Sequence, residues 1–67
     1  MTGAREEIDA LIHVIEAALE LGGDETKLRR ALSLAAEASR TPVSEWRDEL
    51  CRDARELLRQ GRLPGGD

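Results

Sequence analysis

A chain of 67 residues, 40% apolar and with a formal net charge of −4, has room for one domain and a small core. It contains no apolar run near the ~20 residues that span a bilayer and no basic segment leading into an apolar block, so neither a membrane span nor a secretory signal is expected. Cys51 is the only cysteine, which excludes an internal disulfide and a cysteine-rich metal cage.

The first helix is expected from Thr2 or Gly3 to about Leu21, residues 3–21. Ile8, Leu11, Ile12, Ile15 and Leu19 recur at the i, i+3, i+4, i+7 spacing that lines one helical face. Ala10, Val14, Ala17, Ala18 and Leu21 widen that stripe past half the circumference. The polar wedge left over is Arg5, Glu6, Asp9, His13, Glu16 and Glu20. A helix with one neighbour needs an apolar arc of only about 100°. This helix is patterned for more than one neighbour.

Gly22-Gly23 interrupts the pattern, and Asp24 is suited to cap a second helix over 25–39, its carboxylate accepting from the free amides of the first turn. That helix presents Leu28, Ala31, Leu32, Ala35 and Ala38, with Leu34 at the edge, and its alanines let a facing helix come close. Thr41-Pro42 reads as the start of a third helix over 42–60, the hydroxyl capping and the proline giving up an amide that has no partner there. Its stripe of Val43, Trp46, Leu50, Ala54, Leu57 and Leu58 is narrow and the rest is charged, which makes it a cover with Trp46 as an anchor in the core. Gly61 suits the left-handed residue after a helix end, so 1–60 is read as a single helical domain and 61–67 as a flexible tail. No apolar/polar alternation predicts a strand.

The expected fold class is therefore all-α, three short helices in a small bundle. A domain of this size hides only about 60% of its unfolded surface, and small scaffolds often complete their burial by oligomerising. The wide face of the first helix thus predicts dimerisation or a bound partner. The expected function is a non-catalytic protein–protein interaction module, such as an adaptor, docking domain or accessory subunit. Val14, Ala17, Ala18 and Leu21 serve its interface, with Trp46 as a further contact of a type enriched at interfaces. Charge favours the same reading: residues 1–25 hold one base against seven acids, net −6, while 26–67 hold nine bases against seven acids, net +2. The acidic half repels phosphate and anionic lipid and attracts a basic partner or a neighbouring copy. No membrane, nucleic-acid or small-molecule partner and no cofactor is expected. Nine of the ten basic residues are arginine, a bias that fits a GC-rich coding sequence and predicts a bacterial, cytoplasmic protein.

Two other classes have a pattern behind them. Asp9, His13, Glu16 and Glu20 follow one another at helical spacing, as metal ligands do in helical bundles, although on the polar side and in the reverse of the usual Glu-x-x-His order. The second and third helices faintly resemble a helix-turn-helix DNA reader, with Arg47, Arg52, Arg55 and Arg59 as phosphate contacts. Against this, acids are interleaved with those arginines, and Ser39 stands at the usual turn glycine. Cys51 is read as a structural thiol at the border of the third stripe, with no base beside it. No glycine-rich phosphate loop and no catalytic constellation is recognisable, so an enzyme is not expected.

Overall fold

The structure, a computed structural model, describes residues 3–62. Three helices, α1 (Gly3–Glu20), α2 (Glu25–Arg40) and α3 (Ser44–Gly61), follow one another, and there is no strand among the described residues. The all-α expectation holds, with α1 and α2 ending within one residue of the sequence-based bounds.

Each turn has an identifiable chemical cause. Gly22 carries the one positive φ among the described residues, 92°. There its amide donates to the Leu19 carbonyl and the Gly23 amide to the Ala18 carbonyl, both at 3.1 Å. This is the Schellman closure of a helix end, and it needs a residue that tolerates left-handed backbone. Asp24 then caps α2 as expected, its Oδ1 accepting from the Lys27 amide at 3.1 Å.

The start of α3 differs from the reading above. Thr41 belongs to the end of α2: its Oγ1 donates to the Glu37 carbonyl at 2.8 Å and its amide to the Ala38 carbonyl at 3.2 Å. Thr41 is extended (φ −93°, ψ 118°), the conformation the following proline enforces. Pro42 therefore lies in the connection, and α3 begins at Ser44 behind Val43, which offers no side-chain cap.

Gly61 also differs. It is the last residue of α3, buried and without a positive φ, and not the first residue of a tail. Its carbonyl accepts from the Asp24 amide at 2.8 Å, tying the α1–α2 turn to the end of α3. A Cβ on Gly61 would stand 3.0 Å from two carbons of Leu28, and one on Gly23 would stand 2.5 Å from the Gly61 carbonyl oxygen. These two glycines are small because two chain segments cross there. The expected flexible stretch beyond Arg62 lies outside the described residues.

α2 and α3 are thus joined at both ends, by the short connection 41–43 and by the Asp24–Gly61 hydrogen bond, with Lys27 Nζ donating to Gln60 Oε1 at 3.3 Å beside it. Helices of 16 and 18 residues that meet at both ends run antiparallel, as an αα-hairpin. α1 packs on the hairpin mainly through α2 and touches α3 only sparingly. The core holds Ile8, Leu11 and Ile15 from α1, Leu28, Ala31, Ala35 and Ala38 from α2, and Ala54 and Leu58 from α3. Ile15 and Leu28 are its large, fully buried side chains.

Candidate interaction face

The apolar arc of α1 divides in two. Ile8, Leu11 and Ile15 are buried, while Ile12, Ala18 and Leu19 are half-buried against the core. The widening residues face outward: Val14 is 46% exposed, Leu21 is 73% exposed, and Ala10 and Ala17 are exposed beside them. At 100° per residue, Val14, Leu21, Ala10 and Ala17 fall within an arc of about 60°, displaced by roughly 100–160° from Ile15. They form an apolar strip next to the half-buried Ala18, on the same flank as Glu7.

That flank looks toward α3. Glu7 and Ile8 of α1 line an open cleft of about 470 Å³ with Cys51 and Arg55 of α3, so the sparse α1–α3 seam is bounded by one acidic and one apolar residue of α1 and by a charged edge of α3. Burial holds the Cys51 thiol above its ordinary pKa, opposed by the nearby Arg55 guanidinium. The thiol is half-buried and unpaired, in keeping with a structural role.

Trp46 is not a core anchor, being 62% exposed. The facing alanines Ala31, Ala35, Ala38 and Ala54, all fully buried, bring α2 and α3 too close to admit an indole between them. The inward position near the start of α3 is taken by Arg47, about 20° from Ala54 on the helical wheel against about 80° for Trp46. Trp46 also lies about 140° around α3 from Cys51, on the flank remote from α1. The structure therefore brings Val14, Ala17, Ala18 and Leu21 together and leaves Trp46 on a separate surface. Val43, likewise expected in the stripe, is 41% exposed.

Asp9, His13, Glu16 and Glu20 are exposed along the polar side of α1, and among the described residues no group of three or more His, Cys, Asp or Glu side chains is gathered as metal ligands would be. Of the arginines considered for nucleic acid, Arg59 pairs with Glu56 and Arg47 is half-buried. The antiparallel α2–α3 hairpin also differs from the crossed pair, at roughly 90–120°, that a helix-turn-helix reader requires. No helix among the described residues is long and apolar enough to cross a membrane. Comparison of the chain with protein-family models, with curated proteins and with solved structures finds no match.

Proposed function

We propose that this chain is a non-catalytic helical interaction module that associates with a second copy of itself through the outer strip of α1. The observation that carries the reading is the exposure of Val14 and Leu21, 46% and 73%, on a helix whose opposite face is fully used in the core. A strip of this kind is worth roughly 25 cal/mol for each Å² withdrawn from water. The neighbouring α1–α3 seam supplies the groove into which it fits, in the manner of a helix laid between two others.

Beside the strip, α1 carries Glu6, Asp9, Glu16 and Glu20, and the acid-rich segment 1–25 has a net charge of −6. The α3 edge that bounds the seam carries Arg47, Arg52 and Arg55 interleaved with Glu45, Asp48 and Glu49. A two-fold pairing sets α1 of each copy beside the mixed-charge α3 edge of the other, so that the arginines there can face the acids of α1 and fix the register of the pair. A standard interface withdraws about 800 Å² per partner, roughly a sixth of the 4931 Å² accessible surface, which requires most of one helix face plus the adjoining edge.

Sedimentation equilibrium over a range of concentrations tests this. The expected mass rises from 7.4 kDa toward twice that value with concentration. Val14→Glu and Leu21→Glu should hold the mass at that of one chain while far-UV circular dichroism stays unchanged, because both side chains are already exposed. Ile15→Glu places a charge at a fully buried site and should abolish helicity. Loss of helicity in Val14→Glu, or an unchanged mass profile in both outer variants, contradicts the reading.

A further inference from the structure

A second cleft, of about 370 Å³, opens where the start of α1 meets the α2–α3 connection. It is lined by Arg5, Ile8, Ser39, Arg40, Thr41, Pro42 and Arg47. Its charged lining is three arginines with no acid, in a chain whose net charge is −4. The larger cleft on the other side of Ile8 is different, since Glu7, Glu45, Asp48 and Glu49 there outnumber its arginines.

The three guanidinium groups are poorly neutralised from within. Among the described residues no carboxylate lies within ion-pair distance of Arg5 or Arg47, and Arg40 reaches Glu37 only at 3.8 Å between two exposed side chains. The Nε of Arg47 is buried and has no hydrogen-bond partner. The buried Nε thus takes no share of compensation from within the protein, and an anion held by the outer nitrogens of the guanidinium would balance its charge. The hydroxyls of Ser39 and Thr41 cannot take the guanidiniums' role, since both donate to carbonyls of α2, those of Ala36 and Glu37. Just beyond Pro42, α3 begins without a side-chain cap, which adds the positive end of a helix to the local field.

We infer that the Arg5–Arg40–Arg47 cleft is a binding site for the phosphate groups of a small molecule. Guanidinium is the donor suited to this, because its planar fork matches two phosphate oxygens at once. Three such groups, one from each helix, match the charge of a diphosphate better than that of a single carboxylate. The opening is at the small end of the range of ligand sites, about 300–1,000 Å³. The strip on α1 that mediates self-association carries none of these arginines, so the two assignments stand or fall separately.

Titration with sodium pyrophosphate, inorganic phosphate and acetate at low ionic strength tests the site, read by amide and arginine Nε chemical shifts and by fluorescence of Trp46, which neighbours Arg47. The expected result is saturable binding of one pyrophosphate per chain, weaker binding of phosphate and none of acetate, with shifts confined to Arg5, residues 39–47 and the Arg47 Nε. Arg40→Gln and Arg5→Gln change exposed side chains and keep the fold. Each should weaken pyrophosphate about tenfold, the loss of one charge-assisted hydrogen bond. Arg47→Gln should weaken it further, and Arg30→Gln, at an exposed arginine of α2 that does not line the cleft, should leave it unchanged. The inference is overturned by the absence of saturation at about 10 mM pyrophosphate, an affinity corresponding to less than roughly 3 kcal/mol. It is also overturned if Arg30→Gln costs as much as Arg40→Gln, which would mean a diffuse attraction to any exposed arginine.

Discussion

The α2–α3 seam and the α1–α3 seam share a helix, yet one is closed and the other nearly empty. Along the first, Ala31, Ala35 and Ala38 face a helix that offers Ala54, and where the ends cross Leu28 leaves no room for a Cβ on Gly61. Along the second, α1 offers Glu7 and Ile8 to an α3 edge that carries Arg47, Cys51 and Arg55, and a cleft remains. Apolar surface is present in both. What differs is whether the opposite wall is small and apolar or long and charged, and that decides which faces of a three-helix chain are used internally and which are left exposed.

Variants at the closed seam should give the largest effects. Gly23→Val puts a branched side chain where even a Cβ would stand 2.5 Å from the Gly61 carbonyl oxygen and 2.8 Å from Leu28. The carbonyl cannot retreat without losing its hydrogen bond from Asp24, so the expected cost exceeds about 3 kcal/mol, enough to unfold a chain of this size in a thermal melt. Leu28→Ala empties a fully buried site and should cost about 2–5 kcal/mol in denaturant titration. The matching truncation on the open side, Leu21→Ala, should stay within about 0.5 kcal/mol when measured on the isolated chain. An equal loss at the two leucines would erase the distinction between the seams.

Two smaller effects sharpen it. Asp24→Ala removes the cap of α2 but keeps the backbone hydrogen bond to Gly61, and should lower stability by about 1 kcal/mol. Cys51 reports on the α1–α3 cleft itself. Its pKa is raised because burial disfavours the thiolate, so at a given pH below its titration a smaller fraction is reactive. Iodoacetamide should therefore alkylate Cys51 more slowly than a small unhindered thiol at the same pH, with the rate profile displaced toward higher pH. A rate equal to that of the free thiol would mean that the cleft wall is as wet as bulk solvent.

Much of this was legible in the residues. The spacing of Ile8, Leu11 and Ile15 identifies the inner face of α1, and the surplus of Val14, Ala17 and Leu21 identifies an outer one, because helical periodicity is a local property. Asp24 was legible for the same reason, a cap being settled within one turn. Gly61 and Trp46 were not. The glycine reads as a helix stop until the α1–α2 turn is known to dock on it, and the indole reads as an anchor until the alanine seam is known to be too narrow. Thr41 carries a start signal and a stop signal at once, and its hydroxyl's hydrogen bond to Glu37 is what decides between them. Arg5, Arg40 and Arg47 come from three helices and share no local spacing, so only the tertiary structure brings them to one cleft.

In the proposed pair the outer strip of α1 is covered by a second chain, against that chain's own strip and the α3 edge beside it. Isotope-filtered NMR on a mixture of ¹³C-labelled and unlabelled protein, at a concentration where association is complete, tests it most directly. Nuclear Overhauser contacts between copies are expected among the methyls of Val14, Ala17 and Leu21, with none to Ile15 or Leu28. The absence of any contact between copies, or contacts centred on Trp46 in place of Val14 and Leu21, would contradict it.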